Sequence, residues 1–245
     1  MKRLSTIELL GIWETYRHHS VLERSLYLLS AIYLTDVSTV AKMSIGDRDA
    51  SLLNFREWIF GSRFINIANC PHCAAAIEWE TDIEDLKLQE VLPGTATKIL
   101  KMEEEGFKID FRLPNSYDMI QVISNPAIAG DPSKIIAGCI LHVEQDQKEF
   151  TKDKLPQKII EGIGERMSAA DPQADIKMVL SCPDCNNQWE APFDILNYLW
   201  TEIDSWAKRV IKEVAVLARA FSWREEDILN LSPQRRQLYL ELVRG

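Results

Sequence analysis

The chain has 245 residues, 46% of them apolar and 27% charged, a composition that supports one or two packed domains and excludes a disordered or low-complexity chain. Acidic residues outnumber basic ones by 37 to 28, a net charge of -9, which repels a phosphate backbone and argues against nucleic acid as a partner. The charge is uneven: residues 78–105 hold nine acidic and three basic side chains, whereas residues 207–245 hold eight basic and five acidic.

The first sixty residues read as helical. Ser5-Thr6-Ile7-Glu8 and Ser20-Val21-Leu22-Glu23 both fit a capping box, in which Ser and the Glu three positions on satisfy free amides of the first turn. They predict helices over about 6–17 and 21–34. Asp36 is placed to cap a short third helix, and Asp47 a fourth that buries Leu52, Leu53, Phe55, Trp58 and Ile59 and stops at Gly61. Glu8 and Glu14 interrupt the N-terminal apolar run, unlike an export signal. The most apolar stretch, 25–35, is well short of the roughly 20 residues needed to cross a bilayer. The expectation is a protein of the producing cell's cytoplasm, away from membranes.

The period then changes. Residues 64–68 alternate as a strand and run into Cys70-Pro71-His72-Cys73, after which 77–80 alternate again. The order returns at 175–180, then Cys182-Pro183-Asp184-Cys185, then Trp189-Glu190. In a reducing compartment two such pairs point to a metal before disulfides. Two residues between cysteines let both sulfurs reach one ion at about 2.3 Å, and two pairs complete a tetrahedron. The spacing therefore predicts one structural Zn2+ held by Cys70, Cys73, Cys182 and Cys185 in a zinc ribbon split by a long insert. Cys-Pro-His-Cys is also the dithiol sequence of some oxidising thioredoxin-fold enzymes, but that reading leaves the second Cys-Pro-x-Cys unexplained. His72 is expected in an exposed turn, Cys139 in the core, His18-His19 on the surface, and His142 partly buried. No glycine-rich phosphate loop, GxSxG or HExxH is present, and no catalytic residue is assigned.

Between the knuckles, 107–113 read as a strand, 115–123 as a short capped helix and 156–167 as a longer one. The longest helix is expected over 193–221, with Ile195, Leu199, Ile203, Trp206, Val210, Val214, Leu217 and Phe221 as its buried stripe. Ser222-Trp223-Arg224-Glu225 fits a third capping box, and Ser232-Pro233 a cap followed by Pro at the first helical position. Trp223, Arg224, Arg235, Arg236 and Tyr239 are residue types enriched at interface hot spots, which makes this end a candidate partner surface.

Several segments together carry a resemblance: Ile45-Gly46-Asp47-Arg48-Asp49-Ala50, Leu52-Leu53, Phe60-Gly61, both cysteine knuckles, Arg112-Leu113-Pro114, the closing Phe221-Ser222-Trp223-Arg224-Glu225-Glu226-Asp227-Ile228-Leu229, Arg235-Arg236 and Tyr239-Leu240. With these the chain resembles the baseplate hub assembly chaperones of contractile phage tails and of extracellular contractile injection systems. The resemblance implies a non-enzymatic assembly role and hub or spike subunits as partners; the zinc follows from the cysteines alone. The rival is a zinc-ribbon nucleic-acid-binding or regulatory protein, which the acidic charge weakens. The expected fold is α+β, mostly helical, organised around the split ribbon. Its segments are 1–62 (helical), 63–90 (first ribbon half), 91–174 (mixed insert), 175–192 (second ribbon half) and 193–245 (helical).

Overall fold

The computed structural model describes residues 2–88, 98–125 and 131–244, and its elements form the mixed, mainly helical α+β fold expected. The expected boundary between 90 and 91 lies outside the described residues. Two compact units emerge, Met1–Val37 with Leu196–Gly245, and Ser38–Ile195.

The first unit joins the two ends of the chain. Helices α1 (Thr6–Tyr16) and α2 (Val21–Tyr33) start in the capping boxes of Ser5 with Glu8 and Ser20 with Glu23. Their apolar faces, including Leu9, Trp13, Leu26 and Leu29, are buried. The last long helix, Ile195–Phe221, supplies Leu199, Ile203, Ala207 and Val210 to the core of this unit. Two indoles are satisfied within it: Trp13 Nε1 donates to Asp204 Oδ1 at 3.2 Å and Trp200 Nε1 to Ser25 Oγ at 3.1 Å. Trp200 is fully enclosed in place of Trp206, which is half-buried, because the buried positions are spaced by sevens (200, 207) as well as by the expected threes and fours.

Where the second unit begins, a short turn of helix, α3 (Val37–Val40), precedes α4 (Ile45–Phe60). Ser44, three residues ahead of the expected Asp47, caps α4 by accepting the Asp47 N–H, so Asp47 sits in the first turn. Leu52, Leu53 and Phe55 are buried as expected, but Trp58 is exposed and Arg56 takes the inward position. Arg56 donates to the Gly61 carbonyl and lies 3.8 Å from the Phe64 ring centroid, which offsets the cost of enclosing its charge.

The insert forms an antiparallel sheet in the order β3-β4-β5-β6, namely Ile99–Glu104, Phe107–Arg112, Ile140–Gln145 and Lys148–Glu149. Its hairpins turn at Glu105-Gly106 and Asp146-Gln147, where all four residues have positive φ, as two-residue turns that follow strand twist require. Helix α5 (Ser116–Ser124) follows β4 and α6 (Pro132–Cys139) leads into β5. Helix α7 (Gln157–Ala170) sets Ile159, Ile163 and Met167 against Phe107, Ile109 and Phe111 of the sheet. Cys139 is in this core as expected, whereas His142 is exposed, because β5 carries an extra residue, Leu141, where its register on β4 shifts, which breaks the alternation between buried Ile140 and Val143.

Candidate metal centre

Each ribbon half is an antiparallel hairpin. Strands β1 (Arg63–Asn69) and β2 (Ala76–Asp82) close at the Asn69–Ala76 rung; β7 (Lys177–Ser181) and β8 (Gln188–Pro192) close at Ser181–Gln188. Both turns are built alike. The Cys70 N–H donates to the Ala75 carbonyl and the Ala74 N–H to the Cys70 carbonyl, each at 2.9 Å; Cys182, Asn187 and Asn186 repeat both bonds at 2.9 Å. Ala74 (φ 62°) and Asn186 (φ 55°) both take the left-handed conformation that reverses the chain.

These turns bring the four cysteines together, with all four sulfurs within 4.8 Å of one another. Cys70 Sγ lies 3.7 Å from Cys185 Sγ, and Cys73 Sγ 3.6 Å from Cys182 Sγ. A tetrahedron of sulfurs about 2.3 Å from a central zinc has edges of about 3.8 Å, whereas a disulfide needs about 2.05 Å. The spacing fits four ligands around one ion. Cys70 and Cys182 are buried, Cys185 is half-buried and Cys73 reaches the surface.

The thiols of the group differ in how easily they ionise. Burial opposes ionisation of the Cys70 thiol, but the N–H groups of Cys73 and His72, together with the Cys185 sulfur, bring it down to about 6. Cys185 has the Asn187 N–H in its favour, yet burial and the Cys73, Cys182 and Cys70 sulfurs push it up to about 12. Thiolates this close repel one another, and a divalent cation placed among them would offset that repulsion. His72 stays in the exposed turn, outside the group of four.

A residue the sequence did not single out also ties the two halves together. Gln173 is 1% exposed; its Nε2 donates to the Leu86 carbonyl at 2.9 Å and its Oε1 accepts the Leu88 N–H at 2.7 Å. It precedes the second hairpin and grips the chain leaving the first. Nearby, Phe64 and Phe193 meet edge to face at 5.6 Å, and Asp171 accepts the Gly46 N–H at 3.0 Å. A buried amide in a sequence gives no periodic or spacing signal, so nothing marked Gln173 in advance.

Residues 10–200 match the family described as T4 bacteriophage base plate protein. The chain belongs to this family. No curated protein and no solved structure matches it significantly. The match to the base plate family spans both knuckles, the Gly46-Asp47-Arg48-Asp49 segment and Arg112, and ends before the Ser222–Leu229 stretch. Within it Arg112 makes a two-pronged contact with Asp118, at 2.6 and 2.8 Å, while Asp118 also accepts the Asn115 N–H, fixing the start of α5. No helix among the described residues is long and apolar enough to cross a membrane.

The candidate partner residues of this base plate protein divide. Trp223 and Tyr239 meet edge to face at 4.8 Å, and both pack on Phe221 beside buried Leu217, Ile228 and Leu240. Arg224 and Arg235 are exposed. Arg236 is a correction: expected among the residues of a partner surface, it is 3% exposed and its Nε donates to Glu213 Oε2 at 2.9 Å. It holds the terminal helix α10 (Pro233–Arg244) to the long helix α8 (Ile195–Phe221), because it shares the inward face with Leu240. Ser222 is a second correction. It adopts φ 55° and donates its N–H to the Ala218 carbonyl, ending α8; the short helix α9 (Glu225–Leu229) begins instead at Arg224.

Proposed function

We propose that Cys70, Cys73, Cys182 and Cys185 bind one zinc ion in a purely structural role, and that the chain is a non-enzymatic assembly factor for the baseplate hub or spike. It would act in the cytoplasm of the producing cell. The observation that carries the role is the family match over residues 10–200; the zinc rests on the sulfur spacing. Zinc supplies a cross-link here. Four thiolates fill its coordination and leave no open position for water or substrate, so the ion would stabilise the ribbon without doing chemistry. The cross-link joins residues far apart in sequence and so fixes the fold of the second unit.

The test is to co-express the tagged chain with the baseplate proteins of its particle and identify what is recovered, beside particle assembly in its absence. The proposal expects a hub or spike subunit in the recovered complex and particles lacking a complete hub when the chain is deleted. Recovery of none of these subunits, with normal particles after deletion, would remove it.

A further inference from the structure

The two ribbon hairpins repeat one pattern of strand, knuckle and strand around the four sulfurs. Exchanging them swaps Cys70 with Cys182 and Cys73 with Cys185, and the two sulfur pairs that this exchange interconverts are 3.7 and 3.6 Å apart. One further feature obeys the same relation. Ile67 and Val179 each stand three residues before the first cysteine of their knuckle, and they are 71% and 73% exposed. Each faces a glutamate across the hairpin, Ile67 opposite Glu78 and Val179 opposite Glu190. On the first hairpin Ile65, 56% exposed, opposite Glu80, adds a second rung.

The register is not in question, since the other face of each hairpin is turned inward, with Phe64 and Leu180 buried. A single β-branched residue on a solvated strand is ordinary. An aliphatic side chain more than two-thirds exposed, paired with Glu at the same rung of both hairpins, is a repeated surface. Among the described residues no ion pair forms at Glu78 or Glu190, and Glu80 reaches Arg63 only at 3.9 Å. Arg63 and Lys177 stand on the same strand faces, Arg63 near Glu80 and Lys177 on Asp175 at 3.1 Å, so the exposed aliphatic side chains are flanked by more acidic than basic groups. A second copy would set glutamates against glutamates on a chain already at -9, and nucleic acid or an anionic lipid surface would be repelled as well.

We infer that the outward faces of these hairpins dock a segment of another baseplate protein that carries Lys or Arg beside aliphatic side chains. The inference rests on the baseplate role proposed above. The basic groups would meet Glu78, Glu80 and Glu190, and the aliphatic ones would cover Ile65, Ile67 and Val179, removing apolar surface from water.

The experiment immobilises the wild-type chain and passes over it each baseplate subunit of the particle, purified singly. The same is done with Ile67→Ser plus Val179→Ser and with Glu78→Lys plus Glu190→Lys, after checking that metal content and melting temperature are those of wild type. The second variant alters only exposed charges and so keeps the test open if the first is poorly folded. A subunit that binds wild type should bind each variant about tenfold or more weakly, with binding to wild type falling as salt rises. Equal affinity for wild type and both variants overturns the inference alone. Binding of no subunit to wild type overturns the baseplate role and this inference with it. Dimerisation of wild type that either variant abolishes also overturns it, because the face then joins two copies of this chain.

Discussion

Replacing Gln173 by Ala is the substitution that separates a ribbon held by cysteines alone from one that also relies on its surroundings. The change removes two hydrogen bonds, at 2.9 and 2.7 Å, from a side chain that is 1% exposed. The Leu86 carbonyl lies in a residue that is 1% exposed and loses its donor there, at about 1–3 kcal/mol for a buried polar group left unpaired. Leu88 is 52% exposed, so its N–H recovers water and contributes about 1 kcal/mol or less. With a small term for the vacated side-chain volume, the total is about 2–4 kcal/mol, or roughly 5–15 °C in melting temperature for a chain of this size. Chemical denaturation of the metal-loaded protein measures it. Metal transfer to a chromogenic chelator should also be faster in the variant, because the two hairpins are then less firmly held together before the ion leaves. Gln173→Glu keeps the acceptor for Leu88 but turns an acceptor toward the Leu86 carbonyl, and it should cost more than Ala. A Gln173→Ala protein within about 0.5 kcal/mol of wild type, with unchanged metal release, would refute the reasoning.

The remaining predictions concern charges. Burial, with Asp194 and Asp171 adding to it, pushes the Asp49 carboxyl up to about 6 from 3.8, in spite of the Arg48 guanidinium 2.7 Å away. The folded chain thus holds this proton more tightly than the unfolded one, and the stability so gained is lost as pH rises through about 6. Asp49→Asn keeps an oxygen for Arg48 and should stabilise the protein at pH 7.5 by up to about 3 kcal/mol; the gain should shrink toward pH 5, and a pH-independent gain would contradict this. Arg236→Met should lower stability by about 2–3 kcal/mol by leaving the half-buried Glu213 only the more distant Arg209, at 3.9 Å, whereas Arg235→Glu should leave melting unchanged within about 0.5 kcal/mol. Equal effects of the two on a melting curve would contradict the separate places of these arginines.

What the sequence revealed follows from where its signals are local. Two Cys-Pro-x-Cys turns flanked by alternating residues specify their own hairpins, and two capping boxes mark α1 and α2 within a residue. Local signals also misled. Ser222 has the composition of an N-cap, but with only Trp223 between it and Arg224 it serves as the stop of the preceding helix. Trp58, expected in the core, is exposed, and Arg56 is enclosed instead, where the Phe64 ring, eight residues downstream, offers its cation a place to stack. Arg236 looks identical to Arg235 in composition, and only the position of Glu213 on another helix decides which is buried. The sheet of the insert was legible only in β4, where Phe107, Ile109 and Phe111 alternate cleanly; β5 begins directly after a helix within one apolar run, which hides the change of period. The pinning by Gln173 depends on a contact between residues 85 and 87 positions apart, beyond any local pattern.

The central claim is a single ion shared by both knuckles, and elemental analysis of the protein purified without added metal tests it most directly. One zinc per chain in wild type, falling to none in Cys73→Ser plus Cys185→Ser with a stability loss of several kcal/mol, is the predicted result. A wild-type chain that purifies without metal, or a metal-free double variant with the melting profile of wild type, would contradict it.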